Sequence, residues 1–274
     1  MPSPPQLVAD EKHSWWWGER VYITVTAAVG CFLGVNLAQS ADAVALQQAY
    51  GEFQLEAQQL NSNYRPESVT TDGWDATQQA WQALFPKITV VLCFLHVVLG
   101  VQSLCRRTCE VFKEVTDKLW HLYHSLNRRQ FAQRLRRLVE WTKRTDNDLP
   151  DKARQKLLNL PTKVPQLKVI FDHPQAYRTS NQVDRLMNYQ DRILYAMQYF
   201  HGTLDAAKQG LRAMALLWNF HPYCHKVQTM EPHSMSPFED LNGFRYHDNW
   251  LRNFLIASSL NGRGTAKPIK HKLE

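Results

Sequence analysis

Residues 21–38, VYITVTAAVGCFLGVNLA, narrow the choice of fold more than any other stretch. A run of this length is about the shortest that crosses a bilayer as a helix. Two threonines, two glycines and an asparagine interrupt it, however, and β-branched residues dominate its first half. β-branched side chains favour a pleated surface, and glycine favours the turn between two such surfaces. The stretch therefore reads as two strands, Arg20–Val29 and Cys31–Ala38, joined near Gly30. A second apolar run, Ile88 to Val101, is shorter and contains His96; it suits a buried strand running into a helix. No membrane partner is expected.

The flanking periodicities extend this pattern. Leu7 to Asp10 is a short apolar run ending in an acid. Ala41–Leu60 has helical spacing through Val44, Leu46, Tyr50 and Phe53. Glu67–Thr71 reads as a brief strand, Ala76–Leu84 as a helix stopped by Pro86, and Lys87–Phe94 as a further strand. Three antiparallel strands followed by parallel additions through helices make an α/β layout, a mixed sheet flanked by helices. This is also the strand order of the ribonuclease H-like fold.

In such a sheet, acids at the ends of the first and fourth strands can converge on one edge, with Asp10 and Asp72 as the candidates. Two carboxylates brought together repel, and a divalent cation between them makes the arrangement favourable. Paired Mg²⁺ ions about 3.5–4 Å apart would serve phosphodiester chemistry. A local alternative stands beside this: Asp72-Gly73 as a turn, with Asp75 capping the next helix.

Charge points to a polyanion. Lys and Arg total 32 against 25 acids, a formal charge of +7, and that sign fits nucleic acid, ribosomes or anionic membranes. Five cysteines, at 31, 93, 105, 109 and 224, are odd in number and not framed as a secreted disulfide scaffold. They read as reduced thiols in the cytoplasm. The start, MPSPPQLVADEKHS, has neither the basic nor the apolar region of a signal peptide.

The composition changes after His96. Residues 128–144, RRQFAQRLRRLVEWTKR, carry seven basic residues against Glu140. Arg128, Arg129, Arg134, Arg136, Arg137, Lys143 and Arg144 form either a phosphate-binding face or a solvated helix face. Trp120, Tyr123 and Trp141 are candidates for base stacking or for a small core of their own. Residues 146–166 read as a loop around a short helix. Cys93-x-x-His96 with Cys105-x-x-x-Cys109 has zinc-ligand types at irregular spacing, which argues against a zinc site. Cys93 reads instead as a small buried residue, and His96 as a neighbour of the acids that orients Asp72 or a phosphate. His221, Cys224 and His225 read as filler in a loop, and Trp15, Trp16 and Trp17 as a turn with one ring folded over the sheet edge.

The run DGWDATQQAWQALFPKITVVLCFLH resembles the second-acid segment of Mutator-like DDE transposases of bacterial insertion sequences, with Asp72-Gly73, Phe85-Pro86 and Cys93-x-x-His96 at the matching places. RTSNQVDRLM, residues 178–187, is similar to the stretch carrying the third carboxylate of that family. VADEKHS supplies Asp10, and ALLWNFHPY with SPFEDLNGFRYHDNWL resembles the closing segment, so the likeness covers nearly the whole chain.

The resemblance implies a ribonuclease H-like core in two parts, 1–96 and 178–260. It also implies a helical insertion over 97–177, before the last catalytic helix; residues 261–274 lack apolar periodicity and read as a flexible tail. It implies strand cleavage and strand transfer at transposon ends by Asp10, Asp72 and Asp184 holding two Mg²⁺ or Mn²⁺ ions, with Cys93, His96 and Asn181 in support. The implied partner is DNA in the nucleoid, bound by a homo-oligomer. The chain begins almost at the first strand, so a separate DNA-binding domain or polypeptide is expected.

The family's third acid is usually Glu, and Asp184 is one methylene shorter; Asp191 is the reserve candidate. A local reading also fits there, with Asn181 as N-cap and Asp184 at N3. The functional alternatives are a structure-selective nuclease of the same fold and an inactive DNA-binding remnant.

Overall fold

The computed structural model describes residues 4–105, 110–144, 147–230, 235–259 and 269–270. It opens with β1 (Gln6–Trp16), β2 (Glu19–Ala28) and β3 (Cys31–Ala38), then α1 (Ala43–Leu60), β4 (Ser68–Thr71), α2 (Asp75–Leu84) and β5 (Thr89–Leu92). These strands form one open five-stranded sheet in the order β3-β2-β1-β4-β5. β1, β2 and β3 pair antiparallel, whereas β4 and β5 add in parallel. The α/β layout expected from the periodicities is the one observed.

Both hairpins close on two residues in the left-handed region, Trp17-Gly18 (φ 51° and 80°) and Val29-Gly30 (φ 52° and 71°). Paired positive φ values match the twist of the flanking strands, which is why asparagine and glycine usually hold such turns. A β-branched valine is strained at φ 52°. Val29→Asn is therefore expected to raise stability by about 1 kcal/mol, read as a higher melting temperature; an unchanged or lower value would show that the valine is not strained.

Strand β1 runs past Asp10 to Trp16, further than its apolar run suggested. Pairing with β2 continues to Trp16↔Glu19 and compensates for the polar composition of residues 11–14. Strand β5 is shorter than expected, because Phe94 already begins a helix.

One sheet face buries Leu7, Ala9 and Val69 under α1 and α2, against Leu46, Tyr50, Phe53, Trp81 and Phe85. Gly34 is required where α1 crosses β3, since a Cβ there would lie 2.8 Å from that of Phe53. The other face buries Val8, Ile23, Val25 and Phe32 under α8 (Asn181–Ala196) and α9 (Leu204–Phe220), against Val183, Leu186, Leu194 and Leu211.

Between β5 and α8 the described chain is helical: α3 (Phe94–Gln102), α4 (Glu110–Tyr123), α5 (Arg128–Lys143), α6 (Asp151–Leu158) and α7 (Val164–Lys168), with short tight turns at Leu160–Lys163 and Val169–Phe171. Residues 147–166, expected as a loop around a short helix, are mostly helical. Apolar positions at helical spacing, among them Val115, Leu119, Leu122, Phe131, Leu138 and Leu157, give this region its own core. After α9 come α10 (His225–Met230), α11 (Pro237–Asn242), β6 (Phe244–Arg245), α12 (Trp250–Ser259) and β7 (Ile269–Lys270). β6 pairs with β7, and the remainder of the expected tail lies outside the described residues. No described helix is long and apolar enough to cross a membrane.

Candidate active site

The parallel pairing of β1 with β4 sets the site. Gln6, Leu7 and Val8 align with Ser68, Val69 and Thr70, so two residues further along each strand Asp10 and Asp72 emerge side by side. Period-2 alternation turns Asp10 toward the α8 face with Val8, and Glu11 toward the α1–α2 face with Ala9. Among the described residues, Asp10, Glu11 and Asp72 form the group whose carboxylate oxygens lie within 4.8 Å of one another.

Each acid is held in place. The Asp10 carboxylate accepts the Glu11 N–H at 2.8 Å. Glu11 Oε1 accepts from the Tyr50 hydroxyl at 2.6 Å and the Thr77 hydroxyl at 2.8 Å, while Oε2 is enclosed with no partner. Asp72 Oδ1 accepts the Trp74 N–H at 2.8 Å, so the Asp-Gly turn and the convergence of acids coexist. Asp75 does not cap α2: the N-cap position belongs to Trp74, without a side-chain bond, and Asp75 is the first helical residue.

Burial pushes the Asp10 carboxyl up to about 7, reinforced by the nearby Asp72 charge and opposed by His96. Burial likewise pushes Glu11 up to about 8, against the Tyr50 hydrogen bond. Enclosed, mutually repelling carboxylates with an orphaned oxygen fit a hard divalent cation, which prefers oxygen ligands.

Gly73 shapes the Asp72 turn at φ 93°, and a Cβ there would meet Leu92 Cδ1 at 2.1 Å. Gly73→Ala is expected to cost about 1–3 kcal/mol through this strain and to weaken Mn²⁺ binding by displacing Asp72. Melting curves and Mn²⁺ titration check both effects, and unchanged values in both would refute the role given to this turn.

Helix α8 approaches from the opposite side. Asp184 lies near enough for its charge to raise Asp10 further, although it stands outside the three-acid group. Its own carboxyl is raised by burial, opposed by the charges of His96 and Lys12. The reserve acid, Asp191, forms an ion pair with Lys12. Asn181 is not the N-cap of α8. Ser180 holds that position, Asn181 is the exposed first helical residue, and Asp184 falls at the fourth rather than the third. Ser180 is unavailable for side-chain capping because its hydroxyl contacts Cys93 Sγ at 3.3 Å and His96 Nδ1 at 3.4 Å.

The Cys93, His96 and Ser180 side chains thus pack together at the adjoining starts of α3 and α8. Hydrogen bonding to Cys93 raises His96 to about 9 despite partial burial, with help from the Cys93, Asp10 and Asp72 charges. Burial alone would push the Cys93 thiol up, but hydrogen bonds with His96 and Ser180 outweigh it and the net shift is downward. His96 therefore stands beside the acids with its protonated form favoured. Of the second cysteine pair weighed for zinc and set aside, Cys105 is buried and Cys109 lies outside the described residues.

A cleft of about 320 Å³ opens beside Asp72 and His96 and is lined also by Lys156, Asn159 and Lys163. These helical-region cations were not singled out in the sequence, nor were Glu11, Lys12 and Ser180. Their only signal was proximity to recognised residues, as Glu11 and Lys12 follow Asp10 and Ser180 precedes Asn181.

The basic helix α5 buries Phe131, Leu135, Leu138 and Thr142. Arg129, Arg136, Arg137 and Lys143 stand exposed on its other faces and Arg144 follows as its exposed C-cap; Arg128 pairs with Asp172 and Arg134 donates to the His121 carbonyl. The aromatics considered for stacking have partners within the protein: the Arg178 guanidinium covers Tyr123 at 4.4 Å, Trp120 abuts Tyr123, and Lys118 covers Trp141 at 5.0 Å.

No protein-family model matches the chain, and no curated protein does.

Proposed function

We propose that the chain is the catalytic domain of a Mutator-like DDE (here DDD) transposase, built on a ribonuclease H-like sheet and performing metal-dependent DNA strand cleavage and strand transfer at transposon ends. The observation that carries this proposal is the meeting of Asp10 and Asp72 at adjacent strand ends, with Asp184 acting on Asp10 from α8. Asp10, Asp72 and Asp184 would hold two Mg²⁺ or Mn²⁺ ions, with Glu11 contributing its enclosed oxygen beside them. When bound, such ions supply the charge that activates the attacking oxygen and stabilises the leaving one.

The chain's own groups bind and orient the strand. Protonated His96, with Lys156 and Lys163 lining the cleft, attracts the phosphodiester and fixes it against the acids. Water attacks phosphorus as the bond to the 3′ oxygen breaks; in strand transfer the freed 3′ hydroxyl takes the place of water. Tyr50 and Thr77 keep Glu11 oriented. The exposed cations of α5 would hold flanking duplex. A homo-oligomer on DNA in the nucleoid, assisted by a separate end-recognition module, completes the proposal.

The test is incubation with end-labelled duplex and Mn²⁺. Cleaved ends joined to a target strand support the proposal, and cleavage without joining would assign a structure-selective nuclease instead. Absence of calorimetric Mn²⁺ binding would leave a non-catalytic remnant.

A further inference from the structure

We propose that the surface running from Asp184 along α8 to the tip of the β1–β2 hairpin is a track for single-stranded nucleic acid. Bases stack on Trp15, Trp17 and Tyr195 while Arg185 and Arg192 meet the phosphates. The first observation is an unfinished sheet edge. β4 pairs only with Gln6, Leu7 and Val8, so most of β1 beyond Asp10 lacks a neighbour on that side. A groove of about 390 Å³ lies there, lined by Lys12, Trp15, Asp191, Arg192, Tyr195 and Tyr199 among others.

The second observation is what the surface displays. Trp15, Trp17 and Tyr195 are 38%, 66% and 76% exposed, so all three rings present area to solvent. The indole N–H of Trp17 donates to the Gly202 carbonyl at 2.8 Å and His201 meets the ring edge-to-face at 5.7 Å, which together fix the ring. Arg20 lies over the Trp15 ring at 5.8 Å. Arg185 and Arg192, two helical turns apart, are both exposed and form no ion pair among the described residues. The acid in the groove, Asp191, is neutralised by Lys12. Flat rings interleaved with free guanidinium groups suit unpaired bases on a phosphate backbone.

The third observation is that local stability rules are broken here. Trp17 occupies a left-handed turn position, and Gln198 and Tyr199 are consecutive non-glycine residues at φ 58° and 68°. They are locked by Tyr199 N–H donating to the Leu194 carbonyl at 2.7 Å and Phe200 N–H donating to the Trp15 carbonyl at 3.2 Å. Such positions cost stability, and the rings are nevertheless held there by these hydrogen bonds. The direction of the strand rests on the proposed function, since the track begins at Asp184.

Fluorescence anisotropy with a labelled oligothymidylate of about 15 nucleotides, in EDTA so that no cation is needed, tests the track. The wild-type chain should bind, and Tyr195→Ala should weaken binding roughly 5- to 100-fold. Trp17→Asn should weaken it comparably while leaving the melting temperature equal or higher, because asparagine suits the turn. Arg192→Gln should reduce the slope of log affinity against log salt by about 0.7. No binding by the wild type, or binding within about two-fold in both aromatic variants, would overturn the track, as would equal loss on a duplex of the same length. Asp10→Asn separates the two proposals: retained Mn²⁺-dependent cleavage in this variant counts against the transposase assignment alone, whereas unaltered binding in the aromatic variants removes the track whatever the cleavage result.

Discussion

Asp72→Ala should lose metal-dependent strand cleavage by about 10³-fold or more while keeping a cooperative melt. Asp72 is half-buried at the end of β4, and its one protein hydrogen bond fixes the local Asp-Gly turn. Removing it deletes a carboxylate from the three-acid group without opening the core. Asp10→Asn should act equally strongly on cleavage, because the amide keeps the shape and cannot balance cation charge. Asp184→Ala separates the candidates for third acid: it should abolish cleavage, whereas Asp191→Ala should mainly free Lys12. Retained Mn²⁺-dependent cleavage in Asp72→Ala would refute the site.

The second large effect is on stability against pH in the metal-free protein. Asp10 and Glu11 titrate near 7 and 8 in the fold against ordinary values of 3.8 and 4.5, so the folded state binds more protons than the unfolded state between those limits. Their contribution is fully present below about pH 4 and is lost as pH rises through 7 and 8. His96 adds in the same direction, because its raised value near 9 makes its contribution fade above 6.5.

A tenfold difference in proton affinity between the folded and unfolded chain corresponds to about 1.4 kcal/mol, so several kcal/mol are at stake even after allowing for the repulsion these acids share. In EDTA the melting temperature should fall by about 5–15 °C between pH 5.5 and 8.5, and Mn²⁺ at the higher pH should restore it. Asp10→Asn in EDTA should melt higher than wild type at pH 8.5 and respond less to Mn²⁺. A flat profile, with no Mn²⁺ response, would show that these carboxylates are not in one enclosed cluster.

The parts of the fold legible in the sequence were those specified locally. The change of period at Gly30, the apolar spacing of α1 and the stop at Pro86 each placed an element within a few residues. The far end of β1 was not legible, because Glu11, Lys12 and His13 look like a loop until β2 supplies their hydrogen bonds. Phe94 looked like strand for a related reason. Its N–H is taken by the Arg178 carbonyl at 3.0 Å, a partner no local window contains. At the site, Asp10 and Asp72 followed from strand order, whereas Glu11 did not. Alternation turns it to the other face of the sheet, and the Tyr50 and Thr77 hydroxyls that hold its carboxylate come from α1 and α2, distant along the chain.

The bond from Phe94 to Arg178 has an architectural consequence. The polypeptide departs from the sheet and rejoins it within one hydrogen bond, so the excursion is a modular plug whose two ends share a socket. Doubling the length of such a closed segment costs only about 0.6 kcal/mol in chain entropy. The sheet should therefore tolerate changes in the length of this segment away from Lys156 and Lys163, which line the cleft beside Asp72.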